Sequence, residues 1–126
     1  MLARLSLMLL LACAVLPARA GTIEQALAKL APEERAHQAC AIKGLATVRR
    51  DARLRKADRM KTSILAPAVL QGTLLTAKGG AVHAGEHWYA LSFTCQLAGD
   101  FMKATSFSFT LGAEIPKATW DRHGLW

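Results

Sequence analysis

The sequence predicts an α+β fold: two N-terminal helices packed on a four- to five-stranded antiparallel meander, with a short C-terminal helix. Three observations predict it. First, residues 87–97, reading HWYALSFTCQL, alternate Tyr89, Leu91, Phe93, Cys95 and Leu97 with Trp88, Ala90, Ser92, Thr94 and Gln96. Period two with apolar groups on one side marks a half-buried strand. Second, Cys40, Ala41, Gly44, Leu45 and Val48 fall on one stripe of a helix that opens at Pro32. Third, each of these core-seeking faces carries one cysteine, so a helix-to-sheet bridge between Cys40 and Cys95 suits both periodicities.

Residues 1–20 read as a secretory signal peptide and not as part of the fold. Arg4 gives a positive start, residues 5–16 are apolar, and Ala18-Arg19-Ala20 is a small-x-small cleavage site. The apolar run is too short to favour a membrane span. Leu10-Leu11-Ala12-Cys13 also fits a lipobox, with Cys13 lipidated. The early position of Cys13 and the apolar residues beyond it favour ordinary cleavage before Gly21. The expected product is one periplasmic or secreted domain, 21–126, with no transmembrane segment. In an oxidising compartment Cys40 and Cys95 should pair.

The elements follow in order. Thr22 and Gln25 make a capping-box pattern, and Ile23, Leu27 and Leu30 share a helical face until Pro32. Pro32 suits the first position of the second helix. Glu33 and Glu34 at its start, with Arg49 and Arg50 at its end, complement the helix dipole. Residues 51–57 fit either a helical extension or a loop. Residues 59–65 alternate as an edge strand that Pro67 ends. Residues 69–78 form a second strand, Lys78-Gly79-Gly80 a turn and 81–84 a third strand. Gly85-Glu86 suits a type II′ hairpin and places Val82 opposite Tyr89. Ala98-Gly99-Asp100 should then turn the chain so that Leu97 faces Phe101, Leu91 faces Phe107 and Tyr89 faces Phe109. The same register puts Lys103 opposite Cys95, an odd pairing. Pro116 opens a helix over 116–123, with Gly124 as its left-handed stop and Leu125 as the apolar contact. Trp120, Leu125 and Trp126 are too apolar for a free tail, so a docked C-terminus is expected. Trp88, on the face opposite the core, is expected to lie under a helix or that tail.

The motifs Glu34-Arg35-x-x-Gln38-x-Cys40, Asp58-Arg59 and Trp88-Tyr89-x-Leu91-x-Phe93-x-Cys95 belong together. With Ser106-Phe107, Gly112-x-x-Ile115-Pro116, Trp120 and Gly124-Leu125-Trp126, the chain resembles the domain-of-unknown-function family 930. These are small exported proteins of Gram-negative bacteria. The likeness covers about 33–126. It implies a shared fold, supports the cysteine pair and implies no activity.

Candidate chemistry is sparse. The formal net charge is +7, and loss of Arg4 and Arg19 with the leader lowers it by two. Arg49, Arg50, Arg53, Arg55, Lys56, Arg59 and Lys61 face only Asp51 and Asp58 in the stretch 49–61. Such clusters hold polyanions through charge and forked hydrogen bonds. The stretch is therefore the candidate site for an anionic envelope component or a periplasmic partner protein. A solvated helix end and a charged edge strand explain the same residues. Export and the lack of interleaved aromatics argue against nucleic acid. His83 and His87 flank the hairpin turn and should point to opposite faces, a poor basis for a metal site. His37 sits in the helix stripe as a core or rim residue, and His123 near a helix end. No nucleophile motif, phosphate loop or CxxC is present, so no catalytic residue, cofactor or metal is assigned. The expected function is a non-catalytic binding or interaction module. The alternatives are electrostatic binding through 49–61 and a small hydrolase, which would need a pocket holding a histidine beside a carboxylate.

Overall fold

The computed structural model describes residues 22–126; the expected leader, its cleavage site and Cys13 lie outside the described residues. Helices α1 (Thr22–Ala28) and α2 (Pro32–Val48) pack against a sheet of β1 (Ala57–Lys61), β2 (Val69–Gln71), β3 (Leu74–Ala84), β4 (His87–Leu97) and β5 (Ala104–Glu114). A third, short helix, α3 (Trp120–His123), follows a 3₁₀ turn at Lys117–Thr119. All strand pairs are antiparallel. The order is β1-β3-β4-β5, with β2 pairing the other half of β3. β1 and β2 thus share one edge, which makes five strands in four ranks.

α2 begins at Pro32, whose fixed φ suits a first helical position. Its buried side chains include Ala36, Cys40, Gly44 and Val48, a row at four-residue spacing. Against it β4 turns Leu91, Phe93, Cys95 and Leu97, and β5 turns Phe107. Cys40 and Cys95 are disulfide-bonded across a Cα separation of 6.0 Å, and neither is exposed. Gly44 is where helix and sheet come closest: a side chain there would collide with Met60 and Phe107. Arg35, part of the family-like motif, spans the α1–α2 turn. Its guanidinium donates to the carbonyls of Leu27, Ala28 and Leu30, and to that of Asp100 in the β4–β5 turn. It gathers carbonyls at and just beyond the C-terminal end of α1, where intrahelical donors run out.

Two sequence expectations are corrected here. Lys78-Gly79-Gly80 is not a turn. It is a bulge inside β3, between Ala77 and Gly80. The carbonyl of Gly79 accepts from the backbone N–H of Ile64 and Leu65, and a Cβ on Gly79 would meet the backbone of Ala66. Glycine is there for close approach of another segment. The turn lies earlier, at Gly72, whose φ is +58°. The second correction concerns β5. The β4–β5 connection runs through Lys103, with Phe101 at φ +61° and Asp100 accepting from the N–H of Met102. Cys95 therefore faces Phe107, Phe93 faces Phe109 and Leu91 faces Leu111. The register is displaced by four residues from that expected, and Lys103 lies in the turn instead of opposite Cys95.

Other expectations hold. Ala84 pairs with His87 across Gly85-Glu86, and Gly85 alone takes a positive φ, +63°, as a II′ turn requires. Residues 51–57 form neither expected alternative in pure form. A 3₁₀ turn at Ala52–Leu54 plants Leu54 in the core, and β1 starts at Ala57. Gly124 ends α3 in the left-handed region, and the Leu125 N–H returns to the Trp120 carbonyl. The docked tail covers Trp88, which is completely buried with Ala81, Ile115 and Leu125.

Candidate functional site

The β3–β4 hairpin end gathers most of the polar chemistry, because two-residue closure places His83 and His87 on opposite sheet faces. His83 pairs with Trp88 and also with Arg59 of β1. It is almost fully buried, and its Nδ1 donates to Asp58 Oδ1 at 2.6 Å. With that N–H committed, Nε2 is the acceptor left for Arg59 Nη2, 3.2 Å away. The hydrogen bond from His83 holds the Asp58 carboxyl below its ordinary range, with help from the charge of Arg59. The imidazole also meets the Trp88 ring edge-on at a centroid distance of 5.1 Å.

Arg59 occupies the centre of this arrangement. Its guanidinium carbon is 5.6 Å from the Trp88 ring centroid and 5.5 Å from that of Trp126. Lys61 Nζ is 4.8 Å from the Trp126 ring. Cations over indole faces are attracted by the ring quadrupole. Trp88 Nε1 donates to the Trp126 carbonyl at 3.1 Å, so the aromatic pair and the cation close on each other. The Trp126 ring itself stays open to solvent. Arg59 Nε is buried without a hydrogen-bond partner among the described residues; Asp58 Oδ2 at 3.6 Å is an ionic neighbour only.

His87 belongs to the other face. Its Nδ1 and Glu114 Oε1 lie 2.5 Å apart, and both side chains are half exposed. One groove of about 580 Å³ beside it is lined by His83, His87, Glu114, Lys117 and Trp120. A second, of about 380 Å³, lies between Ala52–Lys56 and the hairpin, lined by Arg53, Arg55, Lys56, His87 and Tyr89. No hydroxyl or thiol nucleophile from Ser, Thr or Cys lines either groove.

The residues of the basic stretch take different partners. Arg49 donates from Nε to the Ala57 carbonyl at 2.6 Å and so closes the turn into β1. Arg53 grips Asp51 through two nitrogens, at 3.0 and 2.7 Å, which holds the Asp51 carboxyl down at about 2. Arg59 and Lys61 serve the tryptophans. Arg50, Arg55 and Lys56 remain exposed with no ion pair among the described residues. Arg55 and Lys56, with Arg53, are the ones brought together in a groove. His37 is a rim residue, its Nδ1 2.6 Å from Thr62 Oγ1.

Sequence reasoning missed the Asp58–His83–Arg59–Trp126 constellation and the His87–Glu114 pair. Both depend on which strands lie side by side. The adjacency of Asp58-Arg59 and the terminal tryptophan were visible, but not that β1 and the tail flank the same hairpin. Among the described residues, no three His, Cys, Asp or Glu side chains converge as a metal site, and no helix is long and apolar enough to cross a membrane.

No curated protein and no solved structure matches the chain. The family model described as Domain of Unknown Function (DUF930) matches residues 27–125, from the buried face of α1 to the last buried side chain of the tail, and the chain belongs to that family.

Proposed function

We propose that this chain is an exported, non-catalytic binding module that takes anionic groups of the cell envelope into the groove between Ala52–Lys56 and the hairpin end. The observation that carries the reading is the placement of Arg55 and Lys56. Both are exposed and without an ion pair among the described residues, and they share that groove with the imidazole of His87 and with Tyr89. A cationic groove with an aromatic wall attracts phosphate and carboxylate groups by charge and holds them by hydrogen bonds. In this proposal the leader 1–20 is removed, the product is the single domain 21–126, and the compartment is the periplasm of a Gram-negative cell or the medium. An oxidising compartment is the setting in which a buried disulfide persists.

Binding to phosphatidylglycerol-containing vesicles, compared with neutral vesicles, tests the reading. Binding should be salt-sensitive and fall at least tenfold in Arg55→Glu/Lys56→Glu. Binding that ignores both salt and the double substitution ends the proposal. A soluble acidic partner protein is the other ligand consistent with the groove, and crosslinking in cells would recover it.

The hydrolase reading draws on one specific observation, the His87–Glu114 pair beside the larger groove. An imidazole whose Nδ1 is held by a carboxylate keeps Nε2 as a base, and with no nucleophile nearby it would activate water. Ester or phosphoester turnover abolished by His87→Gln would favour it; equal background rates in both proteins would remove it.

A further inference from the structure

The two edges of the sheet are built differently. The β1/β2 edge carries Asp58, Arg59 and Lys61, a register shift between Ala57 and Arg59, and an interruption at 62–68 that contains Pro67. These are the devices by which an exposed edge resists pairing with another chain. β5 carries register shifts only near its two ends, between Ala104 and Ser106 and between Leu111 and Glu114, and the stretch 106–111 between them is regular. The strand runs eleven residues, ATSFSFTLGAE, without proline, and its only charge is the last residue, Glu114. It pairs with β4 on one side and packs under α2, and among the described residues no strand pairs with its other side. Phe109 and Leu111 are left only partly buried.

We propose that β5 joins the β5 of a second copy of this chain, antiparallel about a two-fold axis, to make one continuous sheet across a homodimer. The strand is self-complementary in the register centred on Phe109. Ser108 then faces Thr110 of the other copy on the polar side, and Phe107 faces Leu111 on the apolar side. Like meets like, as a two-fold contact demands. Glu114 at one end of the strand then lies toward the Lys103 end of the other copy, so opposite charges approach at both ends of the contact. A strand edge without charge or proline also accepts an extended peptide. The match of β5 to itself, with the partly covered Phe109 and Leu111, favours a second copy.

Sedimentation equilibrium on the purified chain tests this. The wild type should be a dimer. Ser108→Lys/Thr110→Lys places like charges opposite each other twice across the axis and should weaken dimerisation roughly tenfold or more. A wild type that is monomeric at every concentration overturns the proposal, and so does a dimer that the double substitution leaves untouched. Hydrogen exchange on the wild type gives a readout that survives a folding defect in the variant. Amides of 106–111 should all exchange slowly in the dimer; if alternate amides along that stretch exchange as fast as an exposed loop, the edge is open and the inference fails.

Discussion

β4 is closed on its two sides by different physics. On the inward side Leu91, Phe93, Cys95 and Leu97 meet α2, and closure is apolar and covalent. On the outward side one indole, Trp88, is shut in by a few late residues of the chain and by the Asp58–His83–Arg59 row. The inward side spreads its stability over many contacts, so losing one leaves the rest in place. The outward side concentrates it in a small set of partners, three of them ionisable. The inward half should therefore be indifferent to pH and tolerant of single changes, and the outward half neither.

The largest effect should come from the inward side by its one non-redundant bond. Cys40 and Cys95 are separated by 55 residues, and constraint of so long a loop in the unfolded chain is worth about 4 kcal/mol. Cys40→Ala/Cys95→Ala should lower the urea midpoint accordingly, and reducing the wild type should match it. On the outward side, Leu125→Ala should cost roughly 2–3 kcal/mol. It should also open Trp88 to acrylamide quenching with the disulfide still formed; a buried indole in that variant would show that the tail is not its lid. Gly124→Ala forces a Cβ into the left-handed position at φ +68° and should cost about 1 kcal/mol.

The smallest effect is electrostatic and separates the sides most sharply. Asp58 titrates lower in the folded chain than in the unfolded one, chiefly through the His83 hydrogen bond. Its contribution is whole above the unfolded value, near 3.8, and is lost as pH falls through the folded one. Asp58→Asn should flatten the acid limb of the stability curve; an unchanged limb would assign it to other carboxylates. The carboxylate is more than half exposed, so the change is a shift in slope rather than a collapse.

How much of this was legible follows the same division. The inward side was written in local periodicity: the Cys40–Gly44–Val48 row, the alternation of β4, the Gly85-Glu86 turn and the Gly124-Leu125 stop were all readable. A period of two determines which face a residue takes but not how far a neighbouring strand is offset. That is why Phe107 was placed on the correct face and opposite the wrong partner. Lys78-Gly79-Gly80 carried a turn composition, yet Gly79 answers to Ala66 and Gly80 to Lys61 and Leu91, residues distant along the chain. The basic stretch looked like one patch because its residues are consecutive. Folding assigns Arg49 to a carbonyl of the next turn and Arg59 to two tryptophans, and neither assignment leaves a local trace. Of the candidate groove, Arg53, Arg55 and Lys56 were named in advance as anion-binding residues; His87 and Tyr89 join them through strand pairing.

Trp88 lies mid-chain, but its cover includes residues 125 and 126. A chain delivered N-terminus first can assemble helix, sheet and sulfur bond while this indole still faces water, and it completes the outer layer only on arrival of residues 125 and 126. A chain lacking residues 125 and 126 would thus oxidise normally yet expose a large aromatic surface. Quality-control proteases should find that species before its thiols betray any fault.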